Sequence, residues 1–379
     1  MLLWTGQTVS ILGSRISSIA FPLLVLALTS SPAKAGLAGF AATIPYLLFQ
    51  LPAGALIDRW NRKRVMIACD SFRALALGSI ALSAWLGALS FLQVLVIGFL
   101  EGVFFVFFNL AQRAALPNVV PPAQLPAAIA QNEASGRGSS LAGQPLGGIF
   151  FGLHKALPFV IDAVSYIFSV VTLMFIKTPL QGDQVRSSTK LQQEIGEGLR
   201  WLWNQPFLRA AALLVGGSNL IFQALVLVVI VLAEDLGASP GLIGVILGFL
   251  GGGGLLGTLV ASPVQKRVHA KVIVIGANWV WAILLPVLAF IKNPLALGPV
   301  LGAIAFVGPA WNVAVGTYQL ILTPDNLRGR VGSVSMLIAW GVIPFGSLVG
   351  GFLLERFGAI TTILLLSGGH ASDCRRRHF

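Results

Sequence analysis

Apolar residues run along this chain in long unbroken blocks, without the short alternation of a strand or the one-sided stripe of a soluble helix. Whole windows, such as residues 75–100 and 242–264, hold no Asp, Glu, Lys or Arg. A surface helix of a soluble protein keeps a charged face, whereas a helix in lipid needs about 20 predominantly apolar residues to cross the hydrocarbon. The pattern predicts spans at 3–28, 36–57, 67–88, 91–113, 127–152, 156–177, 207–233, 241–262, 271–291, 295–320, 331–354 and a short one from 358. The alternating segments of a transmembrane barrel are absent from the sequence. The first apolar stretch, Leu2 to Leu28, is longer than a signal-peptide core and is expected to remain as a helix. These readings give an all-α membrane protein.

Composition agrees. Of 379 residues, 56% are hydrophobic and 10% charged, against about 25% charged in a soluble domain. The net charge of +12 would suit nucleic acid, but the cations sit where lipid topology puts them. Arg59, Arg62, Lys63 and Arg64 follow span 2; Lys177, Arg186, Lys190, Arg200 and Arg209 flank the centre; Lys266, Arg267 and Lys271 follow span 8; Arg328 and Arg330 follow span 10. The opposite loops hold only Lys34, Lys155, Lys292 and Arg356. The positive-inside rule therefore places both termini in the cytoplasm, and no nucleic-acid partner is expected.

The longest polar interval divides the chain into a six-helix bundle at 1–177, a cytoplasmic linker at 178–205 and a second bundle at 206–379. The end of the linker reads as an amphipathic helix, with Trp201 and Trp203 as headgroup anchors. The halves repeat each other: residues 54–65 after span 2 parallel 257–268 after span 8, and Pro122 to Leu125 parallels Pro324 to Leu327. A parallel duplication puts a ligand path between two bundles related by a pseudo-two-fold axis.

Gly54, Leu56, Asp58, Arg59, Arg62 and Lys63 fall in the spacing G-x-L-x-D-R-x-x-R-[K/R]. This resembles the helix 2–3 signature of the major facilitator superfamily. The likeness extends along the chain, through Trp4 to Gln7, Asp70 to Arg73, Ala115 to Pro121, Glu197 to Arg200 and Pro324 to Val331. It is nearest to bacterial exporters of the macrolide-efflux and enterobactin-exporter type. The resemblance implies a proton-driven exporter of small amphipathic molecules, a monomer in the bacterial inner membrane, with Gly54, Asp58, Arg59, Arg62 and Lys63 as a conformational latch. In that reading Gly54 permits close helix approach, and Asp58 pairs with Arg62 or with the end of helix 11. The antiporter pattern of helix 5 is matched at Gly143, Gly147 and Gly148, with Pro145 one place late and Ser139 for the first glycine.

Charges inside spans are costly and face a cavity or a partner. Glu101 lies about ten residues into span 4 and is expected to titrate during transport, to attract a cationic substrate, or to pair with Arg15 or another polar group. Arg15, the other deep charge, either neutralises Glu101 or binds an anionic substrate. Asp162, near the external end of span 6, is expected in a cap or an interhelical hydrogen bond; Asp70 with Arg73, and Glu133 with Arg137, are expected as pairs within one helix. Gln7, Asn109, Asn219, Gln223, Asn312 and Gln319 are candidate lining for the substrate path, with Asn278, Trp311 and Trp340 beside them.

No catalytic constellation, metal spacing, cofactor motif or nucleotide loop is present in the sequence; Gly251 to Gly254 lacks the Lys-Ser/Thr ending of a phosphate loop. The apolar part of the last span, Ala359 to Gly369, is about half the length needed to cross, so helix 12 is expected to be truncated. Siderophore or metabolite export, and a truncated member that does not transport, are the competing functions.

Overall fold

The computed structural model describes residues 2–57, 59–176, 180, 191–324 and 327–376. Among them every regular element is a helix. In the order of the chain these are α1 (Leu2–Thr29), α2 (Pro32–Ile57), α3 (Arg62–Trp85), α4 (Phe91–Val119), α5 (Leu125–Leu153), α6 (Leu157–Phe175), α7 (Leu191–Asn204), α8 (Pro206–Asp235), α9 (Pro240–Arg267), α10 (Ala270–Val287), α11 (Pro294–Leu322), α12 (Arg328–Gly341) and α13 (Ile343–Arg376). Helices dominate because in lipid each backbone N–H and C=O must be satisfied within its own segment. Starts are set by side-chain caps: Asn61 accepts from the Arg64 N–H, Ser90 from Gln93 and Asn293 from Leu295.

Ten helical stretches among the described residues are long and apolar enough to cross a membrane. Two differences account for the gap to the sequence expectation. Helix α5 forms where span 5 was expected, but Gln131, Asn132, Glu133, Arg137 and Gln144 make it too polar to count by composition. Residues 330–368 form one stretch where the sequence gives two. Gly358, at φ 71° and ψ 174°, divides α13 there, a left-handed conformation that glycine adopts without a Cβ clash. The backbone beyond it stays helical to Arg376, past the end of the apolar run.

The chain divides into two compact units. The first comprises Met1–Val185 with Gly237–Gly248, and the second Arg186–Leu236 with Phe249–Phe379. In the first, α1 packs on α5 and α6, α2 on α4, and α3 on α4 and α6. Ile57, Met66, Cys69, Phe108, Ala111 and Leu173 close its core at the end where α3 begins. In the second, α8 packs on α13 and α12, and α10 on α11 and α13. Leu202 of α7 is buried with Leu208, Ala212, Val331 and Val334, and Arg330 bonds Glu197. Trp201 joins this cluster and only Trp203 is left exposed, so one of the two expected headgroup anchors is occupied in packing.

Outward faces are apolar. Phe72, Leu75, Leu82 and Trp85 of α3, and Val164, Ile167, Val171 and Met174 of α6, are exposed, the inverse of a soluble surface and suited to acyl chains. Close helix contact instead relies on small residues. A Cβ at Gly102 would collide with the Ala42 carbonyl and lie 2.9 Å from Pro45 Cγ, whereas one at Gly78 would meet open space. Gly102→Val is therefore expected to cost about 1–3 kcal/mol by overpacking α2 against α4. Thermal unfolding in detergent checks this: the midpoint falls for Gly102→Val and holds for Gly78→Ala.

Candidate functional site

The charges that the sequence scatters over three spans meet in one buried cluster of the first unit. Helix α3 contributes Asp70 and Arg73, one turn apart and 0% and 3% exposed; α4 contributes Glu101; α6 contributes Asp162 and Tyr166, both fully buried. Arg73 donates from Nε at 2.9 Å and from Nη2 at 2.5 Å to Oε1 of Glu101, and from Nη1 at 3.4 Å to Oδ1 of Asp70. Tyr166 donates its hydroxyl to the same Glu101 oxygen at 2.8 Å. The guanidinium carbon lies 4.0 Å from the centroid of the Tyr166 ring and 5.5 Å from that of Phe105, an arrangement in which aromatic faces replace part of the lost hydration.

One oxygen thus receives three donors while its twin receives none. Glu101 Oε2 and Asp70 Oδ2 are both buried without a hydrogen-bond partner among the described residues. Buried polar atoms are paired in the great majority of cases, so the two open oxygens leave this ion cluster only partly satisfied. A further layer surrounds it: Ser14 Oγ is 2.8 Å from the Tyr166 hydroxyl, Ser17 donates to Oδ2 of Asp162, and Ser165 donates to Oδ1 at 3.2 Å.

Arg15 does not take the place that the sequence suggested for it. The cation on Glu101 is Arg73, because α3 and α4 form an antiparallel hairpin that brings both to the same depth. Arg73 stands twelve residues before the end of α3 and Glu101 ten after the start of α4. Arg15 lies on an exposed face of α1 with Thr5, Thr8 and Ser18, and among the described residues nothing pairs with it. The Asp70–Arg73 pair does form within α3, but it is the longer of Arg73's two bridges. Asp162 makes an interhelical hydrogen bond, to α1.

The helix 5 glycines are contact points. A Cβ at Gly143 would lie 2.5 Å from Arg15 Cβ, and one at Gly147 would strike the Ile16 carbonyl, so α5 lies directly on α1. Gly148 and Pro145 face Gly244 and Gly248 of α9, in the segment that belongs to the same unit.

At the start of α3, Arg62 donates to the Ala114 carbonyl at 2.9 Å, and Lys63 to Met174 and Ile176 at 3.1 and 2.7 Å. Lys63 thereby caps the C-terminal end of α6, where free carbonyls and the helix dipole favour positive charge, and Arg62 ties the start of α3 to the last turns of α4. Arg59 is exposed, and Asp58 lies outside the described residues. Gly54 makes no close approach, since a Cβ there would meet nothing within 4 Å; the packing glycine of this region is Gly102 on the facing helix.

The candidate path residues separate into two sets. Asn219 donates to Ala339 O at 2.7 Å and Gln223 to Ser347 Oγ at 3.0 Å, each tying α8 to a neighbour. Gln7 is buried and Asn109 half-buried. Asn312 and Gln319 instead line a cavity of about 430 Å³ in the second unit, with Trp311, Ser335 and Met336. Gln319 donates to Ser335 at 3.0 Å, and the Trp311 indole N–H is buried without a partner among the described residues.

Long apolar helices in two units, enclosing ion pairs at mid-depth, define a polytopic membrane transporter of the major facilitator class. The chain belongs to the family described as transmembrane secretion effectors (MFS_3), whose model matches residues 1–371. It is similar to the multidrug efflux pump Tap of Mycolicibacterium fortuitum, 27% identical over 367 residues, with 94% of this chain and 89% of the relative covered. It is also similar to macrolide efflux protein A of Streptococcus pyogenes, 24% identical, with 97% and 91% covered. Among solved structures, a mutant form of the nucleoside transporter NupG superposes with a TM-score of 0.78 at 13% identity, over 99% of this chain and 98% of that one. A bacterial homologue of the iron transporter ferroportin gives 0.69 at 15% identity, with 98% of each covered. These likenesses show the fold. The family and the relatives are transporters, not enzymes.

Removing one partner of a buried ion pair leaves an uncompensated charge and costs about 3–5 kcal/mol. Arg73→Gln is expected to destabilise by that amount, and Arg73→Gln/Glu101→Gln by clearly less. Denaturant unfolding in detergent, run as a double-mutant cycle, checks it: strictly additive losses would show that the two side chains do not interact.

Proposed function

We propose that this chain is a proton-driven exporter of small amphipathic molecules, working as a monomer in the bacterial inner membrane with both termini cytoplasmic. The observation that carries the reading is Glu101. Its carboxylate is held at mid-depth by Arg73 and Tyr166, with a second oxygen that is buried and unpaired. Asp70 shares the same guanidinium, and Asp162 is buried on α6 one turn from Tyr166. A proton on Glu101 removes the charge that Arg73 holds and weakens their bond. That loosening of the α3–α4–α6 contact is the coupling step.

Substrate handling is assigned to the second-unit cavity. Its volume falls within the range of small-molecule sites, and its apolar lining with a few polar groups is the usual chemistry of such sites. Asn312 and Gln319 supply adaptable amides and Trp311 an aromatic face. Arg62 and Lys63, with Gly54, Asp58 and Arg59, act as the latch; Gly143, Pro145, Gly147 and Gly148 let α5 bend and slide on its neighbours. The drug and macrolide export named for Tap and macrolide efflux protein A supports outward transport of compounds of this class.

The test is efflux of macrolides, cationic dyes and siderophores from cells expressing the chain, with and without a protonophore. Energy-dependent efflux of an amphipathic drug is expected, abolished by the protonophore. Glu101→Gln is expected to lower uphill efflux by about tenfold or more, the effect of losing a positioned proton carrier. Efflux that ignores the protonophore, or a Glu101→Gln variant as fast as wild type at every pH, would overturn the reading.

A further inference from the structure

Asp162 is left without a role by the ion pair. Its side chain is fully buried in the first turns of α6, and its partners are the hydroxyls of Ser17 and Ser165. No cation lies within salt-bridge distance of it among the described residues. Both Ser17 and Ser165 donate elsewhere as well, to the carbonyls of Ser14 and of Asp162 itself at 3.2 and 2.7 Å. Isolated ionised carboxylates are too costly to hold in such surroundings, and a neutral one needs only hydroxyl partners.

The position of Asp162 adds to this. It is the sixth residue of α6, about 8 Å along the helix from the end opposite the basic loops; Glu101 is the eleventh of α4, about 15 Å from the same end. Between them stand three hydroxyls. Ser17 bonds Asp162, Ser14 lies one turn away on the same face of α1 and is 2.8 Å from Tyr166, and Tyr166 is 2.8 Å from Glu101. Ser17 Oγ also donates to the Ser14 backbone carbonyl at 3.2 Å, so the two serines adjoin on α1.

The charged and titratable groups around Asp162 come from every helix packed on α6. Helix α1 brings Ser14, Ser17 and, on its exposed face, Arg15; α3 brings Asp70 and Arg73; α4 reaches in with Glu101; α6 itself brings Tyr166. The charged residues of α5, Glu133 and Arg137, lie in its first half, away from the end that leads into α6. His154 and Lys155, in the turn before α6, are exposed at the mouth of this route.

We propose that Asp162 is a second proton-binding site, loaded from the side opposite the basic loops, and that it delivers its proton to Glu101 through Ser17, Ser14 and Tyr166. Each hydroxyl accepts one proton and passes one on, so the net change is a neutral Asp162 and an ionised Glu101 becoming an ionised Asp162 and a neutral Glu101. Arg73 then loses part of its hold on Glu101, and the charge released on Asp162 is discharged by the next proton from outside. This deepens the proposed function and rests on its proton coupling.

The experiment uses the full chain in proteoliposomes, with one transported drug, and compares proton-driven uphill transport with downhill exchange of the same drug. Asp162→Asn keeps a Ser17 acceptor and mimics the permanently loaded state. It is expected to lose uphill transport about 100-fold, the scale of a missing proton carrier, while exchange stays within about twofold. Tyr166→Phe keeps the ring against Arg73 and removes only the hydroxyl. It is expected to slow uphill transport by a clearly larger factor than exchange, and Asp162→Glu to restore part of the loss. If Asp162→Asn fails to insert, Tyr166→Phe alone decides. Wild-type coupling with either Asp162→Asn or Tyr166→Phe matching it in uphill transport overturns the relay; absence of coupling in the wild type overturns the proposed function instead.

Discussion

A guanidinium cannot be taken out of water unless its charge and its donors are matched where it goes, and Arg73 shows how this fold meets that demand. The group is 3% exposed, on the buried face of a helix whose other face is apolar and exposed. Its charge is met by Asp70 from its own helix and Glu101 from the next, and its planar faces by Tyr166 and Phe105. Meeting it draws α3, α4 and α6 to one point, and the Tyr166 hydroxyl brings in α1 through Ser14. In lipid the apolar effect does little to hold helices together, so packing and these polar contacts carry the specificity. The first unit is organised around a charge that has no alternative partner.

The same constraint explains the ends of the helices. Arg62 and Lys63 are usually read as topogenic charge, keeping a loop on one side of the membrane. Here Lys63 also donates to terminal carbonyls of α6, and Arg62 to the Ala114 carbonyl in the last turns of α4. A change that frees either cation loosens the start of α3 from one of these helices. This gives the basic loop after α2 a physical means of acting on the helices that bear Glu101, Asp162 and Tyr166, without any contact to them. In the second unit Arg330 and Glu197 join α12 to α7 more weakly, since both are exposed to solvent.

Much of this was legible in the sequence, and the limits follow from what a linear pattern encodes. Lipid demands runs of apolar residues, so helix existence and approximate ends could be read directly. Helix α5 was legible as a helix for the same reason, although its polar content hides it from a composition test. What the pattern lacks is azimuth. Arg15 and Glu101 both sit deep in their spans, and depth alone made them candidates for each other. The direction each faces is set by packing, which turns Arg15 toward the exposed side of α1. One signal was available for the true partner: with a short hairpin between α3 and α4, counting outward from the turn places Arg73 level with Glu101. Its i,i+3 spacing from Asp70 concealed that by offering a sufficient local explanation. Spacing in a motif also does not tell which glycine is a contact point: a Cβ at Gly54 meets nothing within 4 Å, while Gly102, outside any motif, lies directly on α2.

The buried cluster is hard to justify as a stabilising device. Replacing a buried ion pair by apolar side chains of similar volume is commonly neutral or favourable, and here the arrangement is poorer than a simple pair. Three donors crowd onto one oxygen of Glu101 while its other oxygen and one of Asp70 bond to nothing among the described residues. A purely structural network gains by satisfying all its members, since a partly satisfied one is worse than an apolar core. Sites that break this rule are where function is expected. On the proposed function, the bare acceptors are where a proton arrives and the Ser–Tyr hydroxyls are its route. That proposal accounts for a partly satisfied cluster, which a bolt between helices does not.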